Sequence, residues 1–179
     1  MKAKIFLLTA FFSLLTGALS AQKFAYVDTD YILNQMTEYK AAQKQLNELS
    51  QKWENDIKIM KDEIDKMYKD YRAEEILLSA TQKKEREDAI VAKEEEMKRF
   101  EQEKFGVNGE LFKKRQELIK PIQDKVFAAI QRVAKNNGLD FIFDKSANMN
   151  ILFSNPKYDR SDDVLDELGI TQTENPNDK

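Results

Sequence analysis

The 179-residue chain has no cysteine and no histidine, only three prolines and five glycines, and a single tryptophan. Without cysteine there is no disulfide to staple a small core and no thiol to carry a lipid anchor. Without histidine the chain lacks the commonest metal ligand and the commonest general base near neutral pH, which sets aside most hydrolase and metalloenzyme chemistry. The glycines stand at 17, 106, 109, 138 and 169, too scattered to build a phosphate-cradling loop. Asp28-Thr29-Asp30 and the acidic residues among 159–163 lack the ligand spacing, central glycine and closing glutamate of a calcium loop, and read as helix caps. These absences lead to an expectation of no catalytic residue, no metal and no cofactor, hence not an enzyme.

Long apolar runs are also scarce. The one that exists covers residues 5–19, behind Lys2 and Lys4 and running into Ala18-Leu19-Ser20, the layout of a secretory signal peptide over 1–21. Cleavage after Ser20 or after Ala21 fits equally, and the run is short for a membrane span. Removing Lys2 and Lys4 leaves 27 basic and 32 acidic residues, a balance opposed to general nucleic-acid binding, which needs a basic footprint. The expected product is soluble and exported.

What fills the chain instead is an apolar stripe at helical spacing: Tyr39, Ala42, Leu46, Leu49, Trp53, Ile57, Met60, Ile64, Met67, Tyr71 and Leu78, with no glycine or proline among them. Steps of three and four bury one narrow seam against another helix, and two steps of four meeting at Trp53 mark a stutter. About 40 residues at roughly 1.5 Å each make a rod about 60 Å long, so the sequence predicts a helical arm. Thr37 is its expected N-cap. Near 77–82 the seam stops and Ser79 and Gln82 fit a capping box, which predicts the tip of a helical hairpin; one continuous helix is the alternative. The returning seam is thinner: Ile90, Met97, Phe100, Val107, Leu111, Leu118 and Ile122. Gly106 and Gly109 fall on this helix at about 1 kcal/mol each, and Pro121 is expected to kink it.

The ends of the chain predict a small body. Residues 24–27 read as a strand leading into a short helix over 31–35 capped by Asp28-Thr29-Asp30. Beyond Pro121 a helix bearing Ile122, Val126, Ile130 and Val133 stops at Gly138. Strands are expected at 139–144 and 149–153, joined by a hairpin turn at 145–148, then a short helix with Val164, Leu165 and Leu168, capped by Asp159 or Ser161. The predicted organisation is a signal peptide 1–21, body 22–36, hairpin arm 37–120, body 121–170 and a disordered tail 171–179. The fold class is α+β, mainly α. Three strands make a very small core, and open sheet edges invite pairing with other copies. Phe24, Tyr26, Val27, Ile130, Phe141, Phe143, Ile151 and Phe153 are the candidates for an oligomerisation body.

This order of parts resembles the Skp/OmpH family of periplasmic chaperones. The resemblance is carried by Phe24-Ala25-Tyr26-Val27-Asp28-Thr29-Asp30, by residues 121–126 with Val133-Ala134-Lys135, and by Phe141-Ile142-Phe143-Asp144, Ile151-Leu152-Phe153 and residues 164–168. It implies a homotrimer with a β-rich body and helical arms that hold unfolded outer-membrane proteins without ATP in the periplasm. One departure stands out. Well-known members are basic, whereas residues 44–110 here carry 14 basic and 18 acidic residues, which opposes a lipopolysaccharide site made of basic residues. The client-contact candidates are the apolar residues off the main seam: Ile59, Tyr68, Leu77, Val91, Phe105 and Phe112. A structural coiled-coil adaptor, docking a folded partner through the arm tip, is the alternative. Gly106-Val107-Asn108-Gly109 has the GxxG spacing of an RNA-binding loop but lies in an acidic helical surround.

Overall fold

The computed structural model describes residues 22–146 and 151–170. The predicted signal segment and tail lie outside the described residues, as does the turn at 147–148. The chain divides into two compact units, one of residues 22–32, 128–146 and 151–170, the other of residues 33–127.

In the first unit the strand β1 (Phe24–Val27) and the opening of helix α1 (Thr29–Gln35) come from the N-terminal side. The end of helix α4 (Glu110–Asn137), strand β2 (Phe141–Asp144) and helix α5 (Ser161–Glu167) complete it. β1 and β2 pair in parallel, with Phe24 opposite Phe141 and Val27 opposite Asp144. The expected hairpin between 139–144 and 149–153 is therefore corrected: Ile151, Leu152 and Phe153 form no strand, and Met149 and Asn150 lie outside the described residues. The reason is that β1 offers the better partner. Ala25, Tyr26 and Val27 are all buried, and β1 is bridged on its other edge by Asp159, so it is the central strand and β2 joins it.

β2 also starts later than the sequence predicts, because Leu139 serves the preceding helix. Gly138 takes the left-handed conformation at φ 60° and the Leu139 N–H donates to the Ala134 carbonyl at 2.9 Å, a helix-ending motif that only a residue without Cβ enters cheaply. The exit of β1 is tied on two sides. Thr29 donates from its N–H (3.2 Å) and its hydroxyl (2.6 Å) to the Asp144 carboxylate, and the Asp28 N–H donates to Ser161 Oγ at 2.9 Å. Asp28 caps α1 through the Tyr31 N–H as expected. Neither Asp159 nor Ser161 caps α5: Arg160 holds the N-cap position with no side-chain cap, because Ser161 is the first helical residue and Asp159 is engaged by the N–H and hydroxyl of Ser161. Under these ties Val27, Ile32, Ala129, Val133, Val164 and Leu165 are buried.

The second unit is an antiparallel helical hairpin. Helix α2 (Thr37–Glu74) rises through 38 residues, a 3₁₀ turn covers Glu75–Leu77, and helix α3 (Ala80–Phe105) returns. Each member of the Tyr39–Leu78 stripe is buried or half-buried, so the seam is the packed face. At the turn, Ser79 Oγ accepts from the Gln82 N–H and Gln82 Oε1 accepts from the Ser79 N–H. This capping box decides between the hairpin and the single helix. Thr37 does not cap α2: Met36 occupies that position and no side chain closes it.

The returning limb differs from expectation at 106–109, where α3 stops and α4 begins. A Cβ on Gly106 would stand 2.3 Å from the Gln102 carbonyl oxygen, and one on Gly109 would stand 2.9 Å from that of Gly106. Asn108 between them has φ 60°, a region that asparagine tolerates better than most residues. Two glycines in a helix thus mark an interruption rather than a tolerated cost. The interruption turns Val107 out, 99% exposed, and resets the helical phase. The seam of α4 therefore runs through buried Ile119, Ile122 and Val126, with Leu118 only half-buried. Pro121 sits within α4, which continues through it; Pro121 and Glu117 are both exposed residues.

Candidate functional site

Chemistry-bearing clusters are sparse. Among the described residues no group of three or more acidic side chains could hold a metal ion, and no helix is long and apolar enough to cross a membrane. A cleft of about 460 Å³ in the hairpin unit is lined by Asn34, Tyr39, Lys40, Gln43, Lys44, Asn47, Glu48 and Gln51. It offers amides and amines but no nucleophile beside a base.

Surface character is more informative. Of the six candidate client contacts, Ile59, Tyr68, Leu77, Val91 and Phe112 are exposed. Phe105 is not: it is half-buried and meets Trp53 edge to face, ring centroids 6.0 Å apart. The stutter explains this. The two four-residue steps at Trp53 leave a wide layer, and the layer is filled by Phe105 together with the Lys104 ammonium, 5.2 Å from the indole centroid. Lys104 also pairs with Glu110 across the helix interruption. Such aromatic and cation–π contacts each add roughly 0.5–1.5 kcal/mol beyond area burial.

Tyr68 is exposed but engaged, since its hydroxyl donates to Glu94 on α3 at 3.0 Å. One turn on, the Tyr71 hydroxyl donates to Glu87 at 2.5 Å, and the hydrogen bond to that carboxylate pushes the phenol up to about 12. Around them Glu63 pairs with Lys93 at 3.2 Å, Glu74 with Arg86 at 3.1 Å and Glu75 with Lys83 at 3.9 Å. Periodicity alone gives no sign of these links, because a solvated charged face looks the same whether or not its members reach across.

One exposed residue escapes the stripe pattern. Ile76, 94% exposed, stands beside Leu77 at 85% on the 3₁₀ turn that the Ser79 capping box terminates. A helical wheel cannot find Ile76, since it lies where the helix ends.

The body candidates separate into two groups. Tyr26 and Val27 are buried within the chain itself, and Ile130 and Ile151 are half-buried. Phe24, Phe141, Phe143 and Phe153 are exposed. Phe141 and Phe143 stack at 6.4 Å along one face of β2, and Phe24 meets Tyr158 at 5.1 Å.

Among solved structures, the fold is similar to that of a Caulobacter crescentus protein described as OmpH-like. The TM-score is 0.64 at 17% identity, over 83% of this chain and 85% of that one. At that identity the likeness is one of fold. No curated protein matches the sequence. A family model described as "Outer membrane protein (OmpH-like)" matches residues 23–168, which takes in both units, so the chain belongs to the OmpH-like family.

Proposed function

We propose that this protein is a periplasmic, ATP-independent holdase that binds unfolded outer-membrane proteins and keeps them from aggregating, acting as a homo-oligomer, a trimer by family resemblance. The observation that carries the reading is the spread of exposed apolar side chains, Ile59, Val91 and Phe112 among them, along both limbs of a hairpin whose seam is already satisfied without them. Strands of outer-membrane barrels alternate apolar and polar residues and aggregate when unfolded in water. Weak contacts on several linked hairpins add through effective concentration, which holds such a chain without preventing its release.

The test is light scattering after a urea-unfolded outer-membrane barrel is diluted into buffer with and without the protein starting at Gln22. Suppressed aggregation supports the reading; unchanged aggregation at excess protein refutes it. Replacing Ile59, Val91 and Phe112 together by Ser should raise the protein required by about threefold or more at unchanged oligomer mass. The exposed Ile76–Leu77 pair favours a second reading, an envelope adaptor that docks a folded partner at the hairpin turn. Ile76→Ser with Leu77→Ser would then abolish function while the triple substitution left it intact.

A further inference from the structure

The hairpin is held by different chemistry in its two halves. Nearer its open end the seam buries Ala42, Leu46 and Trp53 on α2 and Ile119, Ile122 and Val126 on α4, and Phe105 closes the layer at Trp53. Among the described residues a single exposed ion pair, Glu38 to Lys125, reaches there from α2 to α4. Toward the turn, residues 59–99 bury only Ile64 and Ile90. There the limbs are joined by five polar links: Glu63 to Lys93, Tyr68 to Glu94, Tyr71 to Glu87, Glu74 to Arg86 and Glu75 to Lys83. Each uses a carboxylate, and Lys93 is shared with Glu96 of its own helix. Exposed ion pairs contribute little, and salt weakens them further as the Debye length shrinks from about 8 Å at physiological ionic strength toward about 3 Å at about 1 M, whereas burial of apolar surface is not lost that way.

We propose that the turn-proximal half is a salt-releasable clasp: raised ionic strength frees residues 60–97 as a unit while the half around Trp53 stays closed. The boundary is the layer of Trp53, Phe100, Lys104 and Phe105, where aromatic burial takes over from exposed charge. The two phenol links weaken least with salt, because each joins a neutral donor to a carboxylate. They limit how far the clasp opens. The consequence for a client rests on the holdase reading: an open clasp changes the apolar surface that Val91 and Ile59 offer, and so ties holding to the ionic strength of the compartment.

Hydrogen exchange resolved by peptides, on the protein without any client, tests the clasp independently of that reading. Between about 0.05 M and about 0.5 M NaCl, exchange in 60–97 should accelerate at least about threefold relative to 40–57 and 111–126. Tyr68→Phe with Tyr71→Phe should add to that acceleration at high salt, and Glu63→Gln with Glu74→Gln and Glu75→Gln should remove most of the salt response. Equal acceleration of both halves, no change in 60–97, or an undiminished salt response in the triple variant would each overturn the proposal.

Discussion

Gly109 is buried in the hairpin with backbone oxygens where a Cβ would go, and Gly106 is tighter still. Gly106→Ala and Gly109→Ala should each destabilise the protein by about 1–3 kcal/mol, read as a lower urea midpoint. A value within about 0.5 kcal/mol of wild type would show that α3 and α4 can fuse into one helix. At Asp144, burial pushes the carboxyl up, but hydrogen bonds from Thr29 and Ser146 outweigh it, and the group sits below its ordinary 3.8. A depressed carboxylate contributes stability that is present above the unfolded value and lost as pH falls through the folded one. Asp144→Asn should therefore flatten the loss of stability below about pH 4. An unaltered acid profile would mean that the ties at the exit of β1 survive protonation.

Sequence periodicity serves the elements unequally. The α2 stripe is legible because a single side of a 38-residue helix does one job, and all of its predicted members pack. The limb that returns is harder to read. Val107 has the right residue type at the right spacing, yet it is turned into solvent because Gly106 and Gly109 end one helix and start another. A wheel assumes continuous phase, and no wheel reports a break. The capping box at Ser79 is legible for the opposite reason: it is a local motif whose two hydrogen bonds depend on four residues only. Ser79→Ala should cost about 0.5–2 kcal/mol, with exchange rising first at 75–90; a uniform change along the chain would show that the turn is fixed elsewhere. The Tyr71 link is checked by ultraviolet titration. Its phenol is raised from 10.0 to about 12, so the link persists below the unfolded value and is lost as pH rises through the folded one. Tyr71→Phe should delete a late-titrating phenol from the curve.

For the whole molecule, three exposed phenylalanines on a two-stranded sheet, Phe24, Phe141 and Phe143, stand against a small buried core. Parallel pairing of β1 with β2 was illegible because each strand is four residues long and apolar, and alternation over so short a span does not choose a partner. If these rings are covered by other copies, Phe141→Ser with Phe143→Ser should lower the mass seen by multi-angle light scattering while helix content holds. An unchanged mass would place the contact elsewhere. The register also fixes an order of events during folding. Phe24 finds Phe141, 117 positions later in the chain, and closing so long a loop in an unstructured chain is entropically costly and slow. Prior collapse of 33–127 shortens the distance to be closed, so the segment that leaves the ribosome early is among the last to settle. Trp53, the sole tryptophan, reports that collapse. In refolding from urea its fluorescence should recover before the amides of residues 24–27 gain protection, leaving an interval in which the hairpin has formed and the strand that ties the chain ends together is still unpaired.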